Sequence, residues 1–171
     1  MNKLVISALC FLAFATPVRA GGPGGNAHDA ERATPAIQVP ADARAAVEAV
    51  NRFSAALASG NLVAAGAELD PKVLILEAGG AERSAEEYLG GHAKGDAAFL
   101  KQAHVQLLRR TAAVHGDLAW VASESELHVS RDGKPVTVLS AETMLVRRSE
   151  EGWKIMHIHW SSRTKAPDGH H

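Results

Sequence analysis

Cysteine is almost absent from this chain. Its 171 residues include one, Cys10, and Cys10 lies in a leader expected to be removed. The mature protein then has no thiol for a disulfide, a thiolate nucleophile or a Cys-ligated zinc site. A run long enough to span a membrane is also missing. Leu4 to Ala15 is apolar but short, and with Lys3 before it and Val18-Arg19-Ala20 after it, residues 1–20 read as a secretory signal peptide. Nor is there a basic stripe. Of 18 basic side chains, Lys3 and Arg19 fall in the leader, leaving 16 against 19 acidic ones, which argues against a nucleic-acid footprint. The expectation is a periplasmic or secreted bacterial protein with no membrane insertion after signal cleavage, stabilised by core packing.

What remains is one domain. Residues 21–40 hold Gly21, Gly22, Pro23, Gly24, Gly25, Pro35 and Pro40 and read as a flexible leader. From Ala41 the pattern changes. Ala46, Val50, Phe53 and Leu57 recur every three or four residues, predicting an amphipathic helix that ends at Ser59-Gly60. Asn61 can cap a second, short helix stopped by Asp70-Pro71, and residues 72–77 read as a strand turned back at Ala78-Gly79-Gly80. Ser84, with Glu87 three residues on, is an N-cap signature for a third helix running to about Gln102, broken near Gly90-Gly91 and Gly95. Four β segments follow, about 104–115, 118–130, 134–148 and 152–163. Their short turns at Gly116-Asp117, Arg131-Asp132-Gly133 and Ser149-Glu150-Glu151 predict an antiparallel meander. The domain spans 41–164, and 165–171 is a frayed tail.

The last strand, Gly152 to Arg163, carries apolar bulk on both faces, as a central strand does. Strict alternation puts Ile155, His157, His159 and Ser161 on one side and Met156, Ile158, Trp160 and Ser162 on the other. Two imidazoles on one face must be bonded, hydrated or ligated.

This element order resembles the nuclear transport factor 2-like superfamily, and within it the SnoaL-like and DUF4440-type bacterial proteins. Two stretches carry the resemblance: Glu77-Ala78-Gly79-Gly80-Ala81-Glu82-Arg83-Ser84 with Tyr88, His92, Asp96 and Phe99, and Glu142-Thr143-Met144-Leu145-Val146-Arg147-Arg148 leading into the final strand. That strand's Gly-Trp and His-x-His-x-Ser pattern is also similar to the association domain of calmodulin-dependent kinase II. The resemblance implies an α+β cone, a curved and mostly antiparallel sheet wrapped round about three N-terminal helices, with a cavity at the open end. It also implies homodimers, with Ile158 and Trp160 on an outward face as the expected interface.

Three readings of such a cavity follow. In the first, an exported pocket protein binds a small ligand through Glu77, Glu82, Tyr88, Glu124, Glu142 and Arg163, or a divalent metal ion, copper or zinc, through His92, Asp96, His157 and His159. Here i,i+4 spacing on a helix faces i,i+2 spacing on a strand. In the second, an isomerase, dehydratase or cyclase uses Asp96 or Glu82 as base, His92 or His157 as acid and Tyr88 as electrophilic donor. In the third, the cone is a dimeric assembly module without turnover. The plainer reading of His157 and His159 is structural, one bonded to a neighbouring strand or carboxylate and the other lining the cavity. Arg109 and Arg110 read as exposed strand positions.

Overall fold

The computed structural model describes residues 36–166. The expected signal peptide, most of the leader and the last five residues lie outside that range. Four α-helices and one seven-stranded sheet make up the fold. The strands are β1 (Ala36–Gln38), β2 (Leu69–Glu77), β3 (Gly80–Glu82), β4 (His104–His115), β5 (Leu118–Arg131), β6 (Lys134–Ser149) and β7 (Gly152–Thr164). Their spatial order is β1-β4-β5-β6-β7-β2-β3. The β4-to-β7 meander is antiparallel, whereas β2 joins β7 and β1 joins β4 in parallel. This curved, unclosed sheet wraps the helices in the expected α+β cone. Among the described residues, no helix is long and apolar enough to cross a membrane.

Helix α1 (Arg44–Ser59) fills the hollow, burying Ala46, Val50, Phe53 and Leu57 as their spacing predicts, and Gly60 closes it in the left-handed conformation at φ 79°. Asn61 caps α2 (Leu62–Ala67) by accepting the Ala64 N–H at 3.1 Å. The Ser84 hydroxyl accepts the Glu87 N–H at 3.0 Å to start α3 (Ala85–Gly90). The chain breaks at Gly91 and resumes at α4 (Ala93–Leu100), with His92 at its N-cap.

Three expectations about these elements need correction. Residues 36–38 belong to the fold, because they add an edge strand along Arg109, Arg110 and Thr111. Asp70-Pro71 interrupts no helix; it sits inside β2, where the pairing with β7 shifts register between Leu69 and Leu74 and a missing N–H is tolerated. The third correction concerns β7. Leu145 pairs with His157, while the next residue of β6, Val146, pairs with Ile155. Met156 is therefore an extra residue, a β-bulge that resets the alternation. Trp153 and Ile155 face the helices before it, and Ile158 and Trp160 face them after it. His157 and His159 are consequently turned to the outer face.

Candidate active site

Cross-strand partners share a face, so the register assembles the inner wall of the cone in rows. The deepest row is Ala112, Val121, Met144, Ile158 and Ile75, every one buried, and Glu82 completes it on β3. This floor packs with Val50 and Phe53 of α1 into the core. The next row toward the open end is Arg110, Ser123, Glu142, Trp160 and Glu77, one residue from each of five adjacent strands. A row of Ser125, Ser140 and Ser162 lies beyond it. The wall thus changes from hydrocarbon to charge in a single step.

The charged row is hydrogen-bonded from Arg110 as far as Trp160. Arg110 Nε donates to Ser123 Oγ at 3.0 Å, Ser123 Oγ approaches Glu142 Oε1 at 3.4 Å, and Trp160 Nε1 donates to Glu142 Oε2 at 2.9 Å. A second donor of Arg110 reaches Asn51 Oδ1 on α1. The Trp160 ring stacks on Phe53, centroids 6.4 Å apart, and tilts against Tyr88 at 6.1 Å. Trp160 therefore joins the row to the helices that close the other side.

Those helices bring the acidic groups. The fully buried Tyr88 of α3 donates its phenol to Asp96 Oδ2 on α4 at 2.9 Å. Burial, with Asp96 beside it, holds the phenol protonated far above its usual range, so it acts only as a donor. Burial also raises Asp96 above the ordinary carboxylate range, against the opposing effects of the Tyr88 hydrogen bond and nearby His92. Glu77 is raised by burial and then by repulsion from Asp96. No hydrogen bond or ion pair to the Glu77 carboxylate occurs among the described residues, so no donor offsets the cost of burying its charge. At the edge of the group, His92 Nδ1 meets the buried carboxylate of Glu82. Two neighbouring carboxylates, both desolvated and only one held by a donor, are the kind of pair in which one retains a proton while the other is ionised.

The site expected from sequence is partly assembled here. Glu77, Glu82, Tyr88, His92, Asp96 and Glu142 come together. Glu124 does not, since it faces outward and pairs with Arg109 at 3.5 Å, and Arg163 is exposed on the same outer side as His159. The four proposed metal ligands are also divided. His157 Nδ1 donates to the Leu74 carbonyl, 2.8 Å away on the neighbouring strand, and His159 is exposed. Among the described residues, no group of three or more His, Asp or Glu stands where it could hold an ion. For His157 the structural reading, a bond to the adjacent strand, describes what is found. The Met156 bulge is the physical reason in both cases. Arg110 and Ser123 were not expected in the site. Arg110 has the same residue type as its neighbour Arg109, and only strand parity separates the inward guanidinium from the outward one.

A SnoaL-like domain model matches residues 47–165. The chain belongs to the SnoaL-like family. Through it the protein joins the NTF2-like superfamily, whose cone it shares. A candidate ketosteroid isomerase from Shewanella frigidimarina is 32% identical, with 72% of this chain and 99% of that one covered and a TM-score of 0.66. An NTF2-like protein with a cystatin-like fold from Novosphingobium aromaticivorans is 18% identical over 70% of this chain and 80% of its own, TM-score 0.60. The calcium/calmodulin-dependent kinase II hub of S. rosetta is 23% identical over 70% and 95%, TM-score 0.59. These last two likenesses concern the fold alone. No curated protein matches the sequence. The SnoaL-like cone is a ligand-binding or enzymatic domain.

Proposed function

We propose that this SnoaL-like protein moves a proton to and from carbon in a small carbonyl compound bound in the cone, as an isomerase or dehydratase does. The observation that carries the reading is the Asp96–Tyr88–Glu77 group. Asp96, oriented by the Tyr88 hydroxyl and placed in the first turn of α4, is the base. Glu77, raised by burial and by the Asp96 charge, keeps its proton over a wider pH range and is the donor to the substrate oxygen, where negative charge develops. Tyr88 positions Asp96 and does not touch the substrate in this reading, because its one proton is already committed. His92 and Glu82 brace the group from outside. The 32%-identical candidate ketosteroid isomerase supports this chemistry. The secretory features of residues 1–20 support action outside the cytoplasm.

The test is solvent exchange. Protein in D₂O is incubated with a panel of unsaturated ketones and simple α-CH carbonyl compounds, and deuterium at carbon is followed by NMR. Exchange should be catalysed for part of the panel and fall by about 10²- to 10⁴-fold in Asp96→Asn, the usual contribution of a positioned general base. Exchange that persists in both Asp96→Asn and Glu77→Gln, or is absent for the whole panel, removes the proposal.

A second reading concerns assembly and is favoured by the outer face. Trp120, Leu145, His157 and Leu74 form one cross-strand row there, with Leu145 38% and Leu74 37% exposed. We propose this row, and not the inward-facing Ile158 and Trp160, as the contact between copies in a homodimer. The likeness to a kinase hub is consistent with it. Sedimentation of Leu145→Lys should show a lighter species than wild type; identical profiles would count against the row.

A further inference from the structure

We infer that Arg110 is the anion-recognising residue of the site, and that the molecules accepted carry a carboxylate at the end remote from Asp96. This rests on the proton-transfer reading for which end of the ligand reacts, but its evidence lies at the opposite end of the charged row.

Most other guanidiniums of the sheet are matched with a carboxylate. Arg109 faces Glu124, Arg147 faces Asp70 at 2.5 Å, and Arg148 faces Asp117. Arg110 points inward and is half-buried, yet its partners are two neutral oxygens, Ser123 Oγ and Asn51 Oδ1. A guanidinium carries five N–H donors in a planar fork, so three of these meet no protein acceptor among the described residues. The nearest carboxylate in the row, Glu142, is held by Trp160 and Ser123 and forms no ion pair with Arg110. A cation withdrawn from water without a counter-charge is costly. Burial accordingly lowers the Arg110 pKa, with Glu142 opposing the shift. Ser123 and Asn51 hold the fork from two sides, fixing the orientation that a bidentate carboxylate requires.

The row also sets a length. Arg110 and Glu77 are four strand spacings apart, at most about 19 Å between Cα atoms, and both side chains reach inward. The indole of Trp160 lies between them. A carboxylate attached to one or two rings, or to a short chain, can lie along that indole with its acidic carbon near Asp96. Anion at one end and carbonyl at the other define the substrate class as small organic keto acids or carboxylate-bearing unsaturated carbonyl compounds.

Calorimetric titration tests this with benzoate, phenylacetate, 3-phenylpropanoate and 4-phenylbutanoate against their primary amides. Wild type should bind the best-fitting carboxylate at least about tenfold more tightly than its amide, the low end for hydrogen bonds to a charged group. Arg110→Gln should abolish the preference, and Arg110→Lys should retain part of it, as a point charge without the fork. Equal binding of acids and amides by wild type overturns the inference even where Arg110→Gln fails to fold. So does absence of binding across the series, or a preference that survives Arg110→Gln. Asp96→Asn separates the two readings. Carboxylate preference without carbon exchange in any variant would sink proton transfer alone, whereas exchange without preference would sink the Arg110 assignment alone.

Discussion

The two faces of one sheet use the same five strands and differ in almost everything else. On the inner face, a floor of Ala112, Val121, Met144, Ile158 and Ile75 supports a row of Arg110, Ser123, Glu142, Trp160 and Glu77. On the outer face, the neighbouring positions are Trp120, Leu145, His157 and Leu74. Residue type does not distinguish the faces, since each holds aromatic, aliphatic and ionisable side chains. What distinguishes them is depth. Inside, the row from Arg110 to Glu77 is withdrawn in part from water, and its polar groups find a partner or shift their titration; outside, water does that work. Function is therefore assigned by which way a side chain turns, and a single bulged residue decides that for the closing strand.

The largest expected effect of breaking this asymmetry comes from the floor. Ile158 is 0% exposed and sits between Met144 and Ile75. Ile158→Ala should destabilise the fold by about 2–5 kcal/mol, the range for a buried aliphatic cut to alanine, measured by denaturant unfolding. A cost near zero would mean that Ile158 faces water and that the bulge is misplaced. One row up, Trp160→Phe keeps the aromatic packing and removes the indole donor to Glu142. It should cost about 1–3 kcal/mol, since the half-buried Oε2 of Glu142 then loses its indole donor and keeps only the Ser123 contact at Oε1. An unchanged midpoint would show that Glu142 is served by water.

Glu77 gives a smaller effect with a diagnostic sign. Its folded pKa is raised by burial and by Asp96, so the native state holds the proton more tightly than the unfolded chain. That stability is fully present below the unfolded carboxylate value, near pH 4, and is lost as pH rises through the higher folded value. Glu77→Gln should melt above wild type at neutral pH, with the difference shrinking toward pH 4. The outer-lying Asp70 behaves oppositely. The Lys72 backbone N–H and then Arg147 lower its pKa, so its contribution is present above the unfolded value and disappears as pH falls through the folded one. A Glu77→Gln difference that grows on acidification would invert the assignment.

Much of the scaffold was legible because local rules and burial agree. The spacing of Ala46, Val50, Phe53 and Leu57 did mark the buried stripe of α1, and Asn61 and Ser84 do cap helices. The four long strands begin where the turns place them. Of the site, Glu77, Glu82, Tyr88, His92, Asp96 and Glu142 were legible as ionisable groups around one hollow. The rest depended on parity, which a sequence encodes only while alternation is unbroken. Trp153-Lys154-Ile155-Met156-His157 reads as a regular strand with no Gly or Pro to mark an insertion, so the histidines were assigned to the wrong face. Arg109 and Arg110 present the same problem beside a register shift between Leu107 and Arg109, and the pairing alone shows which of them enters the cone.

The smallest effect sharpens the comparison most. His157 and His159 share the outer face but not the same surroundings. The first is half-buried and bonded to the Leu74 carbonyl at 2.8 Å, while the second is exposed. His159→Ala should change stability by less than about 0.5 kcal/mol, as surface substitutions do. His157→Ala should cost about 0.5–1.5 kcal/mol, the net worth of one hydrogen bond. Neither should alter carbon exchange in the D₂O assay, because the sheet itself stands between both rings and Asp96. Loss of exchange in either variant would place that imidazole inside the cone, and the inner row deduced from the Met156 bulge would have to be redrawn one residue out of step.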